Sequence, residues 1–215
     1  MIISPGRRYI FVHIPKTGGT ALALALEARA MKDDILIGDT PKAVRRRARL
    51  KGLRASGRLW KHSRLTDIHG VLSEAAMRDY FVVTLVRNPW DRMVSYYHWL
   101  KLQGFDHVAV GLAKSLEFGE FLRHPHVQAS IGAAHYASYV TDNSGTEQCN
   151  LFARIEHLKT DLAAFETHLG FDIGRLERVN TSPRDADYRG YFSAGDASII
   201  ARICATDIAR FGYAF

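Results

Sequence analysis

The sequence predicts an α/β fold, a central parallel sheet flanked by helices, and three observations lead there. Residues 9–13 (Tyr-Ile-Phe-Val-His) and 81–86 (Phe-Val-Val-Thr-Leu-Val) are apolar runs without polar alternation, the pattern of strands buried on both faces. Each run is followed by turn chemistry and then by a helix-forming stretch. The same order recurs at residues 151–155 and 156–169, and strands that alternate with helices imply a parallel sheet.

In chain order, residues 21–27 (Ala-Leu-Ala-Leu-Ala-Leu-Glu) are strong helix formers. A basic helix is expected over about residues 41–53, broken by Gly52 and Gly57, with a second short strand at residues 58–62. Ser73 caps a short helix that reaches Asp79. After the strand at 81–86, Asn88 can cap, Pro89 takes the first helical position and Asp91 the third, and this helix runs to about Leu102. Residues 103–150 read as short helices and then a polar loop around Asp142 and Gly145. Gly170 ends the helix over 156–169, residues 178–191 are loop-like, and a final helix covers about 194–210. In such sheets ligands bind beyond the carboxyl ends of the strands. Those ends place Lys16, Arg87 and His62 along one edge.

At 215 residues, 47% apolar and 24% charged, the chain has the make-up of a single globular domain over 1–215. Cys149 and Cys204 are too few for a disulfide framework or a zinc site and are expected to be reduced and buried. No stretch approaches the roughly 20 apolar residues of a membrane span. The apolar run from Tyr9 ends after six residues at Pro15, which argues against a signal peptide and for a cytoplasmic location. The net charge of +7 is uneven: residues 42–64 hold ten Lys/Arg and no Asp or Glu. That segment favours an anionic partner, the alternative being a solvated basic helix with none.

Lys16-Thr17-Gly18-Gly19-Thr20 lies between the first strand and its helix. Backbone N–H groups at such a helix start carry partial positive charge and bind anions, and glycine lets the backbone approach phosphate closely. Lys16 adds a full charge, and the hydroxyls of Thr17 and Thr20 can donate to phosphate oxygens. The plain alternative is a strand-to-helix connection. The lysine precedes the glycines, so this is not a Walker A loop. At the second helix, Arg87 offers a planar fork suited to a phosphate monoester, and Ser95 a further hydroxyl. Arg87 paired with Asp91 as a structural arginine is the other reading.

The segment Phe11-Val12-His13-Ile14-Pro15-Lys16-Thr17-Gly18-Gly19-Thr20 resembles the 5′-phosphosulfate-binding loop of PAPS-dependent sulfotransferases, above all the branch of the heparan sulfate 2-O and chondroitin/dermatan carbohydrate enzymes. Residues 81–97, with Arg87-Asn88-Pro89-Trp90-Asp91-Arg92 and Ser95, resemble that family's 3′-phosphate motif. The likeness continues in Arg154-Ile155-Glu156, in Asn180-Thr181-Ser182 and in the ending Asp207 to Phe215. The resemblance implies a three-layer P-loop-like fold and sulfuryl transfer from PAPS to an acceptor hydroxyl on a carbohydrate. Lys16, Thr17, Gly18, Gly19 and Thr20 would hold the 5′ end of the nucleotide, and Arg87, Ser95 and Ser182 its 3′-phosphate. Thr181 stands where the family often has lysine.

In-line transfer needs positive charge at the leaving oxygen, a role for Lys16, and a base for the alcohol, for which neutral imidazole suits pH 7. His62, 25 residues before Arg87, matches the placement of the base in the resembling carbohydrate enzymes. A surface or core histidine is the alternative there. His13 is expected to pack under the turn, and His124 with His126 makes a poor metal signal, so no metal is expected. The rival functions are a nucleotide-dependent, kinase-like enzyme and a noncatalytic basic module for acidic glycan or nucleic acid. The sulfotransferase reading expects no nucleic acid.

Overall fold

A computed structural model of the chain describes residues 1–177, 179 and 183–215. The elements begin with β1 (Ile2–Ser4), β2 (Tyr9–Val12), α1 (Gly19–Ala28), β3 (Ile35–Leu36), α2 (Pro41–Arg46), α3 (Glu74–Arg78) and β4 (Phe81–Val86). Helices α4 (Pro89–Lys101), α5 (Val108–Ser115), α6 (Phe118–Arg123), α7 (Pro125–Gly132) and α8 (Ala137–Val140) follow. The chain continues through β5 (Leu151–Arg154), α9 (Leu158–Asp161), α10 (Ala163–Leu169), α11 (Ala194–Ile203) and α12 (Ala205–Phe211).

Among the described residues the strands form one sheet in the order β3-β1-β2-β4-β5. The expected strands β2, β4 and β5 are parallel neighbours, with Val12 beside Thr84 and Val86 beside Arg154, so their carboxyl ends share one edge. The sheet is therefore mostly parallel. The exception is β1, which pairs antiparallel with both β2 and β3. Its hairpin to β2 turns through Arg8 at a φ of 52°, and three residues were too short a run to read from sequence.

Two compact units are distinguished, Met1–Val86 with Tyr136–Asn180, and Arg87–His135 with Thr181–Phe215. In the first, Tyr9, Phe11, Val83, Leu85 and Ala153 on one face of the sheet pack with Leu22 and Leu26 of α1 and Phe165 of α10. The alternate residues Ile10, Val12, Val82 and Val86 are just as buried, which is why these strands read as unbroken apolar runs. Thr84, fully buried, donates its hydroxyl to the Val12 carbonyl at 2.7 Å, satisfying the one polar side chain in β4. The second unit has its own core of Trp90, Met93, Tyr97, Phe118, Phe121 and Ile200.

Local signals held where they were strong. Asn88 caps α4 by accepting from the Trp90 and Asp91 amides, with Pro89 behind it, and Ser73 caps α3 through Ala76. Gly170 closes α10 at a φ of 73°. Residues 58–62 are a turn and not the expected strand. The buried Ser63 hydroxyl sits 2.9 Å from both the Arg58 and Trp60 carbonyls and accepts from the Trp60 amide, folding the segment back on itself. The basic helix is shorter than expected, since α2 gives way to a 3₁₀ turn over Arg47–Leu50. The final helix divides at Cys204. Cys149 and Cys204 are free thiols, half-buried.

Phe165 is fully buried with its ring against Tyr9 at 5.3 Å and Phe81 at 5.4 Å. Phe165→Ala is expected to cost about 3–5 kcal/mol of unfolding free energy, measured by urea denaturation.

Candidate active site

Beyond β2 the chain runs through His13, Ile14 and Pro15 to Lys16, whose φ is 66°. A non-glycine residue there carries about 1–2 kcal/mol of strain. Gly18 follows at 80°, while Thr17 between them lies outside the left-handed region. Alternating hand over successive residues turns their N–H groups to one side and makes a concave anion-binding array. Gly18 is also the N-cap of α1, which has no side-chain cap and no acidic residue in its first turn. The first amides of α1 thus add to the array.

Both glycines are required by what lies against them. A Cβ on Gly18 would collide with the Ile155 side chain beyond β5, and one on Gly19 with the His13 ring. His13 is buried and packs under the turn as expected. Thr17 departs from expectation. Its hydroxyl is fully buried and donates to the Ile14 carbonyl at 2.9 Å, so the side chain closes the turn and only its amide can face an anion. Thr20 is half-buried, one residue into α1, and its hydroxyl has no partner among the described residues.

The same unit brings His62 to this turn. Its Nδ1 lies 2.7 Å from the His13 carbonyl oxygen. A carbonyl only accepts, so Nδ1 carries the proton and the lone pair of the neutral ring sits on Nε2. The ring also meets His13 edge-on at 4.8 Å and Trp60 at 5.1 Å. Burial is the main cause that pushes the His62 pKa down to about 4, against the opposing bond to His13. Burial likewise holds His13 well below the ordinary range. Both imidazoles are neutral at pH 7, the form a proton acceptor needs.

Part of the basic segment has structural work. Lys42 donates to the Glu27 carbonyl in the last turn of α1, a cation at a helix carboxyl end, while Arg46 donates to the Met31 carbonyl at 2.8 Å and Arg49 to that of Lys32 at 2.6 Å, just beyond the helix. Lys61 pairs with Asp39 at 2.6 Å.

In the second unit, Arg87 donates from Nε and one terminal nitrogen to Asp91 Oδ2, both at 2.7 Å. The structural pairing that was the alternative reading is therefore present. Ser95 is 7% exposed and its hydroxyl has no partner among the described residues. Trp90 and Tyr97 are core. His124 accepts from the His126 amide through Nδ1 and so caps α7. Ser182 lies outside the described residues. Sequence reasoning missed Arg184, which donates to Asp91 Oδ1 at 2.6 Å across 93 residues and leaves no local signal. Ser63, which shapes the turn that presents His62, was missed for a similar reason.

The unfolded His62 binds a proton near 6.5, the folded one only near 4. Between those values the unfolded state holds more protons, so stability rises with pH across that window and falls on acidification. Urea midpoints taken from pH 4 to 7 should show this slope, and His62→Gln should reduce it.

A family model described as the sulfotransferase family matches residues 1–189. No curated protein matches the chain. Among solved structures the chain is similar to the crystal structure of mouse sulfotransferase SULT7A1 complexed with PAP. The identity is 17% and the TM-score 0.54, over 96% of this chain and 85% of that one. At that identity the likeness is one of fold. The family model, which runs through both the strained Lys16 turn and the Arg87 helix start, shows that the chain belongs to the sulfotransferase family of enzymes.

Proposed function

We propose that residues 1–215 act as a single cytoplasmic sulfotransferase domain that moves the sulfuryl group of PAPS to a hydroxyl on a carbohydrate acceptor. The observation that carries the reading is the left-handed Lys16 beside Gly18 at the uncapped start of α1. Strain of this kind persists where surroundings enforce it, and it collects at functional sites. The motif resemblance supports the donor, and the similar mouse enzyme was crystallised with PAP. Free cysteines fit a reducing compartment. No described helix is long and apolar enough to cross a membrane.

When bound, PAPS supplies a sulfuryl group activated as a phosphosulfate anhydride and leaves as adenosine 3′,5′-bisphosphate. Lys16 and the amides of Thr17, Gly18, Gly19 and Thr20 hold the 5′-phosphate, and Lys16 sets positive charge where the anhydride S–O bond breaks. His62 Nε2 accepts the hydroxyl proton as the acceptor oxygen forms its bond to sulfur. Its low pKa in the bare protein suits this once an anion is near, because negative charge raises an imidazole pKa toward neutrality. Arg87, Ser95 and Ser182 hold the 3′-phosphate.

Adenosine 3′,5′-bisphosphate should raise the melting temperature more than ADP does; equal shifts would remove the nucleotide reading. Lys16→Ala should lower turnover from PAPS by more than about tenfold. His62→Ala should leave nucleotide binding intact while transfer stops, and full transfer by that variant would exonerate His62.

A further inference from the structure

Trp60 stands one ring away from the proposed base. Its indole meets the His62 ring edge-on, with centroids 5.1 Å apart and planes at 87°, while 43% of the residue is exposed. Single exposed apolar side chains are ordinary on a protein surface, and three observations set this one apart. Its backbone is pinned: the Trp60 amide donates to the Ser63 hydroxyl at 2.9 Å and its carbonyl accepts from the Ser63 amide at 3.0 Å, with Ser63 fully buried. The indole N–H has no acceptor among the described residues. Arg58, exposed, lies over the indole at 5.7 Å, the outer reach of a cation–π contact, and has no carboxylate partner among the described residues. The neighbouring cation Lys61 is by contrast taken up by Asp39 at 2.6 Å.

We propose that Trp60 and Arg58 form an acceptor subsite beside His62, and that the unit seated there is a pyranose ring carrying a carboxylate. One face of a pyranose presents C–H groups that pack on an aromatic ring while its hydroxyls stay in water, and the indole N–H donates to a sugar oxygen. The guanidinium fork of Arg58 matches the carboxylate with two parallel bonds. Pinning of the Trp60 backbone lowers the ordering that binding must supply. A sugar stacked on the indole lies beside the His62 ring, so its own hydroxyl or that of the next unit is the one delivered to the base. The inference rests on the transfer reading above and adds the two residues that select the acceptor. Of the ten Lys/Arg in residues 42–64, it gives anion recognition to Arg58, since Lys42, Arg46 and Arg49 bind backbone carbonyls and Lys61 binds Asp39.

The test is made on protein saturated with adenosine 3′,5′-bisphosphate. The probes are a tetrasaccharide of alternating glucuronate and N-acetylglucosamine, and the same tetrasaccharide with its carboxylates reduced to alcohols. Affinities are read by nuclear magnetic resonance titration, in which the Trp60 indole N–H signal is identified by its absence from Trp60→Phe. That signal should shift most among the three tryptophans, and the acidic probe should bind at least tenfold more tightly than the reduced one. Trp60→Ala should weaken both probes at least tenfold, and Trp60→Phe should restore most of that loss. Arg58→Gln should erase the preference for the acidic probe and leave affinity for the reduced one within twofold. A Trp60 signal that stays in place while the acidic probe binds, equal affinities of wild type for the two probes, or binding of neither overturns the subsite. The donor reading then still stands if the bisphosphate stabilises the protein more than ADP does; if it does not, both fall. Should Trp60→Ala not fold, the wild-type indole signal and Arg58→Gln decide the matter by the same criteria.

Discussion

Lys16 is held in a backbone conformation that an isolated lysine avoids, at a φ of 66°, and the surrounding structure must supply the free energy that keeps it there. The means are visible on three sides. His13 fills the space under Gly19, Ile155 presses on Gly18, and the Thr17 hydroxyl ties back to the Ile14 carbonyl. Each support comes from the carboxyl edge of the parallel strands or the segment just beyond it, so the sheet and the turn are parts of one construction. A parallel sheet alone would only end there. With glycine at 18 and 19 it can end in a ring of amides facing a single anion.

The same chain of contacts reaches the candidate base. His62 is oriented through the His13 carbonyl, and His13 in turn packs beneath the turn. The candidate phosphate turn and the imidazole thus share a buried residue. The bond at Nδ1 fixes the tautomer, so the accepting lone pair on Nε2 is a consequence of backbone geometry and not of a neighbouring carboxylate. Burial, and not this bond, keeps the ring neutral, with its pKa pushed down to about 4.

What could be read from sequence was what chemistry decides over a few residues. The Asn88 cap with Pro89 behind it, the double-sided strand at 81–86 and the glycine turn after Lys16 all depend on neighbours in the chain. The failures share a different cause. The turn at 58–62 is shaped by one buried hydroxyl on Ser63, which outweighs the strand propensity of the segment. Strand β1 depends on pairing with β2 and β3. Arg184 pairs with a carboxylate 93 residues away. In the basic segment the charges were plain, but Lys42, Arg46 and Arg49 bind backbone carbonyls, contacts that composition cannot distinguish from an anion-binding face.

The central claim is that the strained turn exists to receive the 5′-phosphate. Titration of isotope-labelled protein with adenosine 3′,5′-bisphosphate, followed by amide nuclear magnetic resonance, observes that turn atom by atom. The account predicts that the amides of residues 17–20 shift most and saturate together with binding. Amides there that keep their unliganded positions while the nucleotide binds would contradict it.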